Sequence, residues 1–147
     1  MTKHEAIALE LHSQGYSCAQ AVLAAFSDVV DLDRKLLLRL AAGFGGGIAD
    51  MREVCGAVSA MVMAADLIYA HGAPNGRLRS AEDYPRLRAL AEAFRLENGS
   101  IVCRELLGID GAKRARPEGK TCHDMVADAA RLLDLYLEDH PAEVVGD

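Results

Sequence analysis

The sequence predicts an all-α fold, a compact single-domain bundle of six to seven helices over residues 1–147, and three observations predict it. Apolar residues recur at helical spacing nearly everywhere, and no stretch alternates cleanly with period two. Capping residues stand before most of the apolar runs, and glycine follows several of them. A chain of 147 residues is also long enough to bury one core without disulfides or a structural metal.

The first helix, "TKHEAIALELHSQG", opens on a Thr2/Glu5 capping box and stops at Gly15. "SCAQAVLAAFSDVV" follows with a second box, Ser17 and Gln20. "DRKLLLRLAAG" is the third helix, closed by Gly43. Asp50 and Glu53 are placed to cap a long fourth helix reaching about His71. That helix is apolar almost all round, which marks it as the central one. "HGAPNGRLRS" is a loop rich in turn residues. Ser80 and Asp83 then start "AEDYPRLRALAEAFRLEN", whose Tyr84, Leu87, Ala91 and Phe94 form one stripe, with Pro85 tolerated in the first turn. Gly99 breaks the chain and Ser100 caps a short sixth helix, "IVCRELL". A polar link, "GIDGAKRARPEGK", leads to the last, "TCHDMVADAARLLDLYLEDH", capped by Thr121 and Asp124. The tail after about residue 141 is expected to fray.

A formal net charge of -6 argues against a nucleic-acid partner, which selects a basic face. No apolar run approaches the roughly 18 to 20 residues a membrane-spanning helix needs. The start, "MTKHEAIALELHS", lacks the apolar core of a signal peptide, so a reducing, cytoplasmic setting is the expectation. In that setting permanent disulfides are disfavoured. The four cysteines, Cys18, Cys55, Cys103 and Cys122, contain no CxxC pair, which excludes a zinc ribbon or a thioredoxin motif. Taken singly, each reads as a small buried hydrophobe.

The predicted caps give the cysteines a common position. Cys18 follows Ser17, Cys122 follows Thr121, Cys103 lies shortly past Ser100, and Cys55 shortly past Asp50. All four fall in or near the opening turn of a helix. There, unpaired N–H groups and the positive end of the helix dipole favour a thiolate, the form that attacks, oxidises or binds metal. Alternating helices would bring Cys18, Cys55 and Cys103 to one end. The link before the last helix, ~40 Å when extended against ~24 Å for a 16-residue helix, can carry Cys122 there too. Cys18 and Cys122 stand out as the thiols expected to have the lowest pKa. His123 and Asp66 read more simply as an exposed helix-start residue and a hydrogen-bonded core residue than as chemical groups. "KRARPEGK" reads as a solvated loop, with docking of an acidic electron-transfer partner as the alternative.

"GFGGG" at residues 43–47 is no phosphate loop, because the Lys of GxxxxGK[ST] is missing. GxGxxG also fails, since Ile48 stands at its last glycine. A helix stop and a tight turn account for one or two glycines but do not require Gly45, Gly46 and Gly47 together. Consecutive glycine amides can form a nest for an anion such as a thiolate group.

Around these residues the chain resembles a family of redox-active proteins named for its C_GCAxxG_C_C cysteine pattern. The resemblance runs through "YSCAQAVLAAF", "GFGGG…EVCGAVSA", "VCRELLG" and "KTCHDMVADAA". Ala60 replaces the last glycine of CGAxxG, and Ala49 and Arg52 stand where relatives commonly carry glycine. A similar domain in split-Soret cytochromes has its four cysteines taken as iron–sulfur ligands. The resemblance therefore implies a [2Fe–2S] or [4Fe–4S] cluster on Cys18, Cys55, Cys103 and Cys122, with Gly45, Gly46, Gly47 and Gly56 as backbone support. Zinc on the same ligands suits the spacing less well, and a metal-free dithiol–disulfide protein is the alternative. A non-redox helical interaction module, with the cysteines incidental, is the third reading. A redox partner protein is implied, and a homodimer is compatible with everything above.

Overall fold

The computed structural model describes residues 1–141, so the expectation for the tail falls outside the described residues. The fold is all-α. The elements are α1 Lys3–Ser13, α2 Cys18–Ala25, α3 Ser27–Val30, α4 Arg34–Ala41, α5 Gly56–Tyr69, α6 Gly76–Leu78, α7 Tyr84–Asn98, α8 Cys103–Leu107 and α9 Cys122–Asp139. Among the described residues the only β pairing is an isolated bridge between Val54 and Val102. Among the described residues no helix is long and apolar enough to cross a membrane.

The second predicted helix divides at Phe26, whose backbone leaves the helical region to give α2 and α3. The fourth is shorter than expected. Asp50 and Glu53 do not cap it, because Ile48, Ala49, Asp50 and Arg52 all adopt left-handed backbone angles and Cys55 itself is the N-cap. Before α7, residues Arg79–Asp83 form a π-turn in place of a capped start. Asp83 is buried there and bound by His71 and Arg86, so it is not free to cap. Ser100 accepts the Val102 N–H one residue ahead of α8 and donates to Glu105, while Val102 is the N-cap.

Helix α5 sits at the centre. Gly56, Ala57, Ala60, Ala64 and Ala65 are buried along it, so neighbouring backbones can approach closely. Ala60, fully buried, shows that a methyl fits where the CGAxxG pattern ends in glycine. Phe26, Leu23, Leu37, Phe94, Met61 and Leu133 supply the bulk of the core around it. Asp66, expected as a hydrogen-bonded core residue, is instead exposed on the outer side of α5. At the far end of the bundle the Tyr69 hydroxyl donates to the His140 carbonyl at 2.6 Å, and Tyr136 stacks on His140.

Helices α1 and α9 run antiparallel. His4 meets Asp134 at one end of the pair, and His12 meets His123 at the other. Asp134 accepts both the His4 backbone N–H at 2.9 Å and its Nδ1 at 2.6 Å. His4 Nε2 lies 2.9 Å from Asp28, which also receives Lys3 Nζ at 2.8 Å. Burial opposes charge on Asp28, yet hydrogen bonds from Lys3 and His4 outweigh it and hold the carboxyl at about 2. A carboxyl depressed in this way stabilises the fold above its unfolded value and stops doing so as pH falls through the folded one. Asp28 is half-exposed, so solvent screens the gain. Asp28→Asn is expected to cost about 1 kcal/mol at neutral pH. Urea titrations should show the difference from wild type shrinking between about pH 4 and about pH 2.

Candidate functional site

All four cysteines begin helices, more strictly than the sequence suggested. Cys18, Cys103 and Cys122 are the first residues of α2, α8 and α9, and Cys55 is the N-cap of α5. Local sequence fixes two of these starts. Ser17 accepts the Gln20 N–H at 3.2 Å while Gln20 Oε1 accepts the Ser17 N–H at 3.1 Å. Thr121 and Asp124 form the equivalent box on α9.

The other two thiols are held by each other's backbones. Cys55 N–H donates to the Ile101 carbonyl at 2.8 Å, Cys103 N–H to Glu53 at 2.6 Å, and Arg104 N–H to Arg52 at 3.2 Å. The Val54–Val102 bridge lies within this antiparallel clamp, and an Arg104–Glu53 ion pair at 2.8 Å closes it on the solvent side. Extended backbone on both sides leaves two helix starts side by side.

The four cysteines line one cavity of about 250 Å³. None is in a disulfide. Cys55 and Cys103 are buried, Cys18 is partly covered and Cys122 is exposed. Apolar cover comes from Leu106, Leu107 and Met125; Arg52, Arg116 and His12 bring the polar groups. A larger, open hollow of about 800 Å³ at the start of α1 holds no cysteine. The ring nitrogens of its His4 are already committed to Asp28 and Asp134.

Burial pushes the Cys55 thiol up to about 12, with the neighbouring Cys18 adding to the shift and the Ala57 and Val58 amides opposing it. Burial likewise raises Cys18, against the amides of Gly46 and Ala19. This corrects the expectation that Cys18 is a low-pKa thiol: a helix start favours the thiolate, but the loss of solvent outweighs it. Arg52 Nη1 lies 3.8 Å from Cys103 Sγ, and Arg116 Nη1 lies 3.6 Å from Cys122 Sγ.

The glycine-rich loop serves the site mainly through packing. Its carbonyls turn back on the chain: Gly45 O accepts from Asp50, Gly46 O from Arg52 and Gly47 O from Glu53. A Cβ on Gly45 would meet Ser17 at 2.9 Å, and one on Gly47 would meet the Glu53 backbone at 2.6 Å. The Gly46 amide favours negative charge on the Cys18 sulfur. Gly56 packs directly on a thiol: a Cβ there would lie 2.7 Å from both Cys18 Sγ and the Phe44 carbonyl.

His12, Arg52 and Arg116 were not singled out by the sequence as site residues. His12 sits in the last turn of α1, and only the packing of α1 on α9 brings it to the cavity. Its Nδ1 is 2.7 Å from His123 Nδ1, a contact in which one ring donates and the other accepts. Burial, then His123, lowers the His12 pKa, which favours a neutral ring. His123 is therefore half-buried and engaged rather than exposed. The basic stretch after α8 is not simply solvated. Lys120 donates to Asn98 and Asp128, Arg114 to the Pro117 and Lys120 carbonyls, and Arg116 reaches the cavity.

Among the described residues no three His, Cys, Asp or Glu side chains are grouped to hold a metal ion. A cluster makes a different demand, spreading its thiolates over several irons. Four thiols around one cavity, with amides and arginines beside the sulfurs, match that donor chemistry.

Fold and cavity together define a small helical thiol protein. A family model described as "Putative redox-active protein (C_GCAxxG_C_C)" matches residues 16–136, and the chain belongs to that family. No curated protein and no solved structure matches the chain.

Two outcomes check the site. Gly56→Ala is expected to cost about 1–3 kcal/mol in urea unfolding, whereas Gly43→Ala, with nothing within 4 Å of its Cβ, should be near neutral. Iodoacetamide followed by peptide mass mapping should label exposed Cys122 at least about a hundredfold faster than buried Cys55. Equal rates would contradict the burial described here.

Proposed function

We propose that this chain is a one-electron redox protein in which Cys18, Cys55, Cys103 and Cys122 hold an iron–sulfur cluster for electron transfer or redox sensing. The reading rests above all on the arrival of four thiols, from four separate helix starts, at one cavity. Incidental core cysteines have no physical reason to share a cavity or to begin helices. Bound there, a cluster would supply one-electron exchange at a potential tuned by hydrogen bonds to sulfur and by burial.

The chain's own residues do the rest. The amides of Gly46, Ala19, Ala57 and Val58 stabilise negative charge on Cys18 and Cys55. Arg52 and Arg116 offset charge at Cys103 and Cys122. Leu106 and Met125 keep water from the buried side. Burial alone holds Cys18 and Cys55 protonated, so these two thiols need a cation to become thiolates near neutral pH. The partner is a protein electron donor or acceptor, and a reducing cytoplasm is the setting that keeps all four thiols available.

One observation favours a second reading, a metal-free dithiol–disulfide protein. Cys122 is exposed beside Arg116 while the other three thiols lie deeper, an arrangement of one attacking and several resolving thiols. There, two thiols would form one S–S bond, passing two electrons and two protons to an external disulfide.

Anaerobic reconstitution with ferrous iron and sulfide separates the two. The cluster reading expects a brown chain with about two or four irons, and loss of most of that iron in Cys55→Ser. A colourless, iron-free product sinks it. Reversible loss of two titratable thiols in that product would then establish the disulfide reading.

A further inference from the structure

The two arginines at the thiol cavity are unequally occupied. Arg52 has Nη2 3.9 Å from the exposed Asp50 carboxylate and Nη1 3.8 Å from Cys103 Sγ. Arg116 makes no ion pair among the described residues. Its one polar contact is Nη1 to Cys122 Sγ at 3.6 Å, and its Nε is buried without any acceptor. Buried donors are almost always paired, and a guanidinium N–H left bare is costly. The loop does not leave Arg116 free to seek another partner. Arg114 ties the loop to the Pro117 and Lys120 carbonyls, and Lys120 is fixed to Asn98 at 2.8 Å and Asp128 at 2.6 Å. Among the described residues no carboxylate is placed on this cation.

We propose that the cavity binds a small molecule carrying an oxyanion, a carboxylate or phosphate, seated on the Arg116 fork with its short apolar body against Leu106, Leu107 and Met125. Guanidinium N–H groups in a planar fork match the oxygens of such an anion. A space of about 250 Å³ admits only a small ligand. An acidic protein would be met by exposed rim charge such as Lys113, whereas the Arg116 guanidinium turns its Nη end to Cys122 at the cavity wall. The ligand's oxyanion end lies at Cys122, so the inference names the substrate class of the thiol site. It rests on these thiols being the reactive groups, not on their holding iron.

The test uses the full-length, reduced, metal-free chain and two alkylating agents that differ in charge. With either, the Cys122 sulfur forms a bond to carbon and iodide leaves; iodoacetate carries a carboxylate and iodoacetamide does not. The ratio of iodoacetate to iodoacetamide rates at Cys122 is expected to exceed that of a free thiol by about tenfold or more. Added inorganic phosphate or acetate should slow iodoacetate alone. Arg116→Gln should return the ratio to the free-thiol value, slowing iodoacetate far more than iodoacetamide, and Arg116→Lys should fall between. A free-thiol ratio in the wild-type chain overturns the proposal. So does an Arg116→Gln variant that slows both reagents equally, because Arg116 would then serve only to stabilise the Cys122 thiolate. Slow labelling of Cys55 reports that each variant is folded; if Arg116→Gln fails that check, Arg116→Lys decides by the same ratio. Iron plays no part in these rates, so failure of the cluster reading leaves this result standing.

Discussion

Where α5 begins, Gly56 passes Cys18 Sγ and the Phe44 carbonyl so closely that a single methyl would occupy space already taken. The rest of the site follows from that approach. It sets α2 directly on α5, and so puts Cys18 beside Cys55. It also brings the end of α4 and the glycine-rich loop against both helix starts. The loop then has to double back within a few residues, and it does so with left-handed angles at Gly46, Gly47, Ile48, Ala49, Asp50 and Arg52. Four of those six residues are not glycine, and such backbone strain is held only where surrounding structure over-determines it. Carbonyls bonded back across the turn supply that restraint.

Burial and electrostatics then work against each other at the thiols. Helix starts and backbone amides favour negative sulfur, while the cover from Leu106 and Met125 disfavours it. At Cys18 and Cys55 burial wins in the thiol form. The site is thus neutral and closed on one side, and cationic and accessible on the other, where Arg116 stands over Cys122. That polarity distinguishes it from four buried cysteines scattered through a core.

Much of this was legible in the sequence because the signals were local. Ser17–Gln20 and Thr121–Asp124 announce their helix starts within four residues, and the structure contains both boxes. Cys55 was harder to place. Asp50 and Glu53 look like caps in one dimension, but the left-handed run at 48–52 breaks the helix before it starts. Ala49 and Arg52 adopt the positive angles that glycine accepts most easily. His12 was not legible as a site residue because it reaches the cavity only through His123, far along the chain, whereas Arg116 stands six residues before Cys122 in a stretch that reads as a solvated loop. Asp66 was misplaced because a helix that is apolar almost all round still has one outer edge.

The antiparallel pairing of α1 with α9 joins residues near opposite ends of the sequence; the His4–Asp134 bond spans 130 positions. Contacts so distant form late, since a long loop must close before they return any energy. Cys122 opens α9 and His12 ends α1, so the cavity gains its last thiol and its histidine only when the two ends of the chain meet. A nascent chain still missing α9 carries three of the four thiols and no complete wall around them. Assembly of the site is thereby tied to the arrival of α9, and a chain that still lacks it cannot offer the site to metal, oxidant or ligand ahead of time.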